Sequence, residues 1–596
     1  MGHLRRGGGE VFRCAVAAVA LLGIGCPVLR AGTWTWTGLG ADNNWSTTNN
    51  WDPAGLPSNT YSATLIFDGT RCLTPEQDAY GKFYFVGMVF TNTAGAFVLG
   101  GNTNVMGSSG FKSWQFSSSQ IPFIRVLTTN VVAFAGPVLA VDGTASSPRT
   151  SLVEVADGGL LQMPTLCGSL GDVVTKRGAG LVRVCEPNDG TRYACNDTTV
   201  GPEWRVEDGV VEMGVRTNRF LFANSDSKGT NWVPASYHTK CSYNLTVGDG
   251  IGSATSAVFR LIGSAQKQLL DNNLAIAVNA DGLLDWNGVQ DWDTTNAPCL
   301  SVSNGLVRMG CSSLVVHNGR TLDLRGSARI EGCCTNALMF YDGATISVDG
   351  FDTGAVLAAD AALEKTTANA AGVVFQVSGH TGDVAALHVT GHLGAGGADS
   401  HLVKRGAGTM AIGNLTHALR TNRVEEGTLL INGLSRCGST VSGAQWLVAS
   451  NATLGGSGII SNASVVVQGG TLDPGDAVAA TLTIESDLVL TPGAALVFDL
   501  TRADPASGRI HDQLVIQKGA LTGLSNAVLQ IAVHDQLNVD GQTFRIICGG
   551  GDFTGQSFRA VSLTGLTGRR AEVTAGSDYV DVTIRNMLAG TSMLVF

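Results

Sequence analysis

Residues 175–184 read TKRGAGLVRV and residues 205–214 read RVEDGVVEMG; residues 403–412 read VKRGAGTMAI and residues 423–433 read RVEEGTLLING. In each pair a basic Gly-Ala-Gly turn opens one apolar strand, and an acidic-Gly turn opens the next. A strand–turn unit repeated inside one chain predicts a stacked solenoid. The interval from Lys176 to Val206 is longer than that from Lys404 to Val424. The strands are kept while the loop between them changes length, as expected when rungs must stack and loops need only stay outside.

The same punctuation runs outward from these copies. VADGGLLQM (155–163), VNADGLLDWNG (278–288), VSNGLVRMG (302–310), VHNGRTLDLRG (316–326) and FYDGATISVDG (340–350) each place Asp or Asn before or near Gly between apolar alternations. Gly, Asn and Asp tolerate the positive φ that tight turns need. The glycines Gly282, Gly305, Gly319 and Gly343 recur at short, unequal intervals, a spacing suited to rungs of short strands joined by corners. In VVHNGRTLDLRGSARIEG, alternation predicts Leu322, Leu324 and Ile330 inside, with Arg320, Asp323, Arg325 and Glu331 outside.

The fold expected is therefore all-β: a right-handed parallel β-helix, or solenoid, over 111–500, with repeats near 173–214 and 402–433. A Trp/Asn-rich cap is expected over 32–110 and a C-terminal β closing module over 501–596. One exception is expected. The alanine-dense stretch 355–372, VLAADAALEKTTANAAGV, predicts a short helix by propensity.

Composition agrees with this reading. The chain has 596 residues, more than one ordinary globular core supports, but a solenoid grows in one dimension and escapes that limit. Its 78 glycines and 14% charged residues accompany 44% hydrophobic residues, too many for a solvated coil. Arg5, Arg6 and Arg13 precede the apolar run from Cys14 to Cys26. This predicts a signal peptide over 1–31, cleaved near Ala31, because the run is too short to span a bilayer. Cleavage would leave 34 basic and 47 acidic side chains, a net charge of −13. That balance argues against nucleic acid as a partner. No later segment has the length of a transmembrane helix. Eleven cysteines would remain, an odd count, and no CxxC zinc pattern occurs; Cys185 and Cys195 flank one loop and form a candidate disulfide.

GTWTWTGLGADNNWSTTNNWDPAGLP packs Trp34, Trp36, Trp45 and Trp51 into one short segment. Indole rings suit two tasks here. They could cover the open first rung as a cap, which is the favoured reading, or stack on sugar rings as a carbohydrate-binding platform.

With these residues in view, the chain resembles the autotransporter-associated β-strand repeat. TKRGAG and LVKRGAGTMAI are similar to its Leu-Thr-Lys-x-Gly-x-Gly-Thr-Leu strand, and RVEEGTLLING to its Gly-Thr-Leu strand. LTVGDGIGSATSAVFRLIG (245–263) and LGGSGIISNASVVVQGGTLDPGDAVAATLTI (454–484) are similar to stretches of the passenger-like proteins that carry it. The Tyr-Thr-Gly segment that often lies between the two strands is replaced here by Asn188–Thr199 and Leu415–Thr421, and no translocator barrel is expected in 501–596. The resemblance implies an exported, secreted or surface-displayed protein with a structural or adhesive role. Surface glycans or other cell-surface proteins are the implied partners.

β-helices also host polysaccharide lyases and glycoside hydrolases, so a catalytic reading competes with the structural one. Two carboxylates flanking the scissile bond are needed for glycoside hydrolysis. The local candidates are His380 and Asp383 with His388 and His392, and Asp349 with Asp352. His388 and His392 have metal-ligand spacing on a helix but not on a strand. Solvated solenoid corners account for both groups. GDGIGSATS is similar to a calcium loop but lacks the tandem nonapeptide. No catalytic residue, metal or cofactor is therefore expected, and a non-catalytic carbohydrate-binding protein and a carbohydrate-active β-helix enzyme remain the alternatives.

Overall fold

A computed structural model describes residues 32–587 apart from 108–120, 136–137, 141–149, 165, 168–172, 185–202, 215–243, 263–274, 288–298, 311–313, 333–336, 351–353, 365–371, 379–384, 396–400, 418–420, 438–442, 476–478, 502–509 and 535–536. Short strands stack into three mainly parallel ladders, one on each side of a coil.

The first ladder starts at Thr33–Trp36 on Thr64–Phe67 and ends at Leu488–Leu490 on Leu521–Thr522. The second contains Val131–Phe134, Leu160–Met163, Leu181–Val184 and Gly209–Gly214, each paired in parallel with the next. It ends at Ala560–Thr564. The third is built in its middle from Leu314–Val316, Leu338–Tyr341 and Ala361–Glu364, and reaches Thr543–Gly549. Rung length varies: the rung that closes by pairing Gln445 with Ser464 takes far less chain than the one that pairs Trp204 with Leu245.

Period-two alternation sends one side chain of each pair inward. On the second ladder Leu161, Val182, Val211, Phe259, Leu284, Val307 and Ile330 follow one another in register, and all are buried. Apolar burial along this column, worth ~25 cal/mol per Å², is what holds the rungs together. Leu322, Leu324 and Ile330 are inside, as their alternation predicts.

The helix expected at 355–372 is not formed in its described part. Ala355–Leu357 and Ala361–Glu364 are strands in the second and third ladders; residues 365–371 lie outside the described residues. Ladder bonds to neighbours on both sides outweigh alanine's intrinsic preference, which is only a few tenths of a kcal/mol per residue against most of the other residue types present. Ala355, Leu357, Ala361 and Leu363 meet the core in strand alternation.

At the N-terminal end the ladder begins within the tryptophan-rich segment, and the parallel stack passes 110 without a break: Gly87–Phe90 pairs with Phe123–Val126. Towards the C-terminus it continues past 501 through Gln513–Ile516 and Val528–Val533. Antiparallel pairing takes over at Tyr579–Asn586, which lies between Thr543–Gly549 and Arg569–Ala575. Among the described residues, no helix is long and apolar enough to cross a membrane.

Candidate functional site

The repeated phrase forms the corner between the first and second ladders. Lys176 and Lys404 occupy inward positions: Lys176 stacks between Val153 and Val206, and Lys404 between Phe375 and Val424. Both are fully buried. Lys404 Nζ donates to Arg405 O at 3.1 Å, Gly406 O at 2.6 Å and, one rung on, Glu426 O at 2.9 Å. Lys176 Nζ does the same to Arg177 O, Gly178 O and Asp208 O. The three donors of an ammonium group are thus matched to three carbonyls of two stacked turns. Burial pushes both amines down to about 8, with Asp208 and Glu426 respectively pulling the other way. These lysines staple the corner; they face no solvent.

The outer side of the second ladder carries the most ordered charge. Gln162, Arg183, Glu212, Arg260, Asp285, Arg308 and Glu331 sit on successive rungs in one register column. From Arg183 onward the signs alternate. Arg183 Nη2 lies 2.8 Å from Glu212 Oε2, and Arg260 Nη1 lies 3.5 Å from Glu212 Oε1. Arg260 Nε then lies 3.0 Å from Asp285 Oδ2. Cross-strand neighbours in parallel rungs are about 4.8 Å apart, so opposite signs at each step attract and like signs would repel. The arginines are about one-third exposed while Glu212 and Asp285 are buried, so the cost of desolvating the carboxylates offsets much of the attraction in each pair.

The column ends differently from how it runs. On its last charged rung, Arg329–Glu331 points two charged side chains outward, and Glu331 is shared. Arg329 Nε approaches Glu331 Oε1 at 2.6 Å, whereas Arg308 Nε is 3.7 Å from Glu331 Oε2. Arg308, Arg329, Glu331, Gly310, Gly332 and Ala358 line an open cleft of about 390 Å³. Gly310, Gly332 and Ala358 add little side-chain bulk to the lining, which carries two guanidinium groups and one carboxylate; Asp285 is the register neighbour of Arg308 on the preceding rung.

The residues singled out in the sequence are scattered. Trp36, Trp45 and Trp51 are core residues, at 0%, 1% and 2% exposure. Trp45 and Trp51 meet edge to face at 5.4 Å, and Trp45 meets Phe83 at 5.1 Å. Trp51 Nε1 donates to Trp45 O. Their ring faces are covered by protein, so a sugar-stacking platform built from all four indoles is not what the fold presents; Trp34 alone is partly exposed. His388 lies on the second ladder beside Ala411, and His392 on the third beside Asn414, with a register shift between them. His380, Asp383 and Asp352 lie outside the described residues, as do Cys185 and Cys195. Asp349 faces Arg325 across the first ladder. In the GDG loop the Asp249 carboxylate accepts from Ile251 N at 2.9 Å, while Asp281, from the turn one rung on, accepts from Gly250 N at 2.7 Å and Asp249 N at 3.4 Å.

One carboxylate cluster was not legible in the sequence. Oxygens of Asp473, Asp499 and Asp512 lie within 4.8 Å of one another. Asp512 is buried and accepts from Ala480 N and Asp499 N, each at 2.9 Å. Desolvation pushes its carboxyl up to about 7, against those two hydrogen bonds. Because the folded value lies above the ordinary value of 3.8, the folded chain holds the proton more tightly. Its contribution to stability is fully present below the unfolded value and is lost as pH rises through about 7. The melting temperature of the C-terminal rungs is therefore expected to rise from pH 8 to pH 5, and Asp512→Asn to flatten that rise in a calorimetric pH series.

No protein-family model and no curated protein matches this chain.

Proposed function

We propose that this chain is an exported, passenger-like solenoid with a non-catalytic, structural or adhesive role at the cell surface or outside the cell. The carrying observation is the uninterrupted parallel stack. Eighteen parallel steps link the described first ladder from Thr33–Trp36 to Leu521–Thr522. At ~4.8 Å each this gives a rod about 85 Å long. Such a rod offers long, fixed outer faces, which suits a spacer or a binding surface. A right-handed coil is the proposed hand, since parallel crossovers take that hand in nearly all folds.

Export by a signal peptide over 1–31, with cleavage near Ala31, belongs to this reading. Cell fractionation with protease added to intact cells tests it: a cleaved chain accessible to protease is expected, and a protease-protected cytosolic chain retaining residues 1–31 would overturn it. Carbohydrate binding is the second reading, and the cationic cleft at Arg308 and Arg329, rather than the tryptophans, favours it.

A further inference from the structure

We infer that the cleft at the end of the charged column binds the carboxylate of an acidic sugar, in a glycan bearing uronic acid units. This inference deepens the carbohydrate-binding reading and rests on it.

Close ion pairs run along the column from Arg183 to Asp285; Arg308 then sits in register between Asp285 and Glu331, and its approach to Glu331 is 3.7 Å, to a carboxylate that Arg329 holds at 2.6 Å. Arg308 and Arg329 are each about half exposed, at 47% of side-chain area. The guanidinium fork matches a planar carboxylate with two parallel N–H donors. An incoming carboxylate would give Arg308 a close partner, which Glu331 supplies only at a distance. Gly310, Gly332 and Ala358 carry no bulky side chains and are the other residues lining the cleft. Its volume of about 390 Å³ is within the lower range of small-molecule sites.

A glycan suits the place better than an acidic peptide. Extended peptides bind sheets mostly by adding a strand to a free edge. Strand Arg329–Glu331 has no free edge, being paired with Leu306–Arg308 on one side and Ala355–Leu357 on the other. A sugar ring brings its own hydroxyls and carboxylate and needs no edge.

The test is titration calorimetry of the purified chain with oligogalacturonate at low salt. Saturable binding is expected, with affinity falling as salt screens the charges. Arg308→Gln is expected to weaken it about tenfold or more. Glu331→Gln removes the competing carboxylate and is expected to tighten binding several-fold, an effect that a merely structural role would not produce. Arg205→Gln, in an exposed pair with Glu203 on the first ladder, is expected to leave it unchanged. Equal binding of a neutral oligosaccharide of the same length, equal binding of poly-glutamate, or no loss in Arg308→Gln would each overturn the inference. Because the measurement uses purified protein, its failure leaves the surface-protease result standing, and a failure of export leaves this binding result standing.

Discussion

Lys404→Met is expected to loosen the corner at residues 404–431 by about 2–4 kcal/mol near pH 7. The methionine chain fills a similar volume beside Phe375 and Val424, so packing is largely kept. What disappears is the set of three N–H donors to Arg405 O, Gly406 O and Glu426 O. A buried carbonyl without a partner costs about 1–3 kcal/mol, and relief from burying a charge offsets part of the total. Because solenoid rungs open locally, the readout is hydrogen exchange at the 404–431 amides rather than a single melting point. Unchanged protection would mean the amine is a passenger in the core.

The same lysines set an alkaline dependence. Their folded values, about 8, lie below the ordinary 10.5. Between those two values the unfolded chain binds more protons than the folded one, so stability rises with pH across that window. Below about 8 the amines are charged in both states and their burial cost is constant. Lys404→Met is expected to remove part of the rise between pH 8 and pH 10.

These corners also mark the boundary between local and long-range information. Turn spacing and alternation are enough to predict stacked rungs, because each depends on neighbours close in the chain, and Leu322, Leu324 and Ile330 are buried as alternation requires. The burial of Lys176 and Lys404 does not follow from local sequence. A lysine after an apolar run reads as exposed, and only the stacking of a second turn one rung away brings Asp208 O or Glu426 O within reach. The charged column is hidden for a related reason. Arg183, Glu212, Arg260, Asp285 and Arg308 are separated by unequal intervals, since loops of different length intervene. Register, not sequence spacing, aligns them. The tryptophans illustrate the opposite hazard. Density of aromatic residues in 34–51 was legible, but whether a ring faces solvent or core depends on Phe67, Phe83 and the ladder around them. Likewise the alanine run at 355–364 has helical propensity but lies where ladders already present open edges on both sides.

Gly427→Ala is expected to be more damaging than its size suggests, and a neighbouring glycine shows why. Gly427 has φ +69 and Gly443 has φ +74, so alanine at either site meets the same backbone penalty of about 1–2 kcal/mol. Their surroundings differ. A Cβ at Gly443 would meet nothing within 4 Å, whereas one at Gly427 would lie 2.7 Å from Gly408 O and closer still to Gly406 O. Those oxygens belong to the preceding KRGAG turn, and Gly406 O is also an acceptor for Lys404. Relief requires backbone movement, which would pull Glu426 O away from the same amine and lengthen the Leu429–Met410 and Leu430–Ala411 pairings. Gly443→Ala is therefore expected to cost about 1 kcal/mol, and Gly427→Ala about 3 kcal/mol or more. Protease sensitivity across residues 400–435, compared between the two variants under one set of conditions, separates conformational strain from steric conflict. Equal sensitivity would mean that the two turns are not in contact. A larger effect at Gly427 would tie the acidic-Gly half of the repeat to the KRGAG half through direct stacking, with glycine required at 427 because another backbone occupies the space of its side chain.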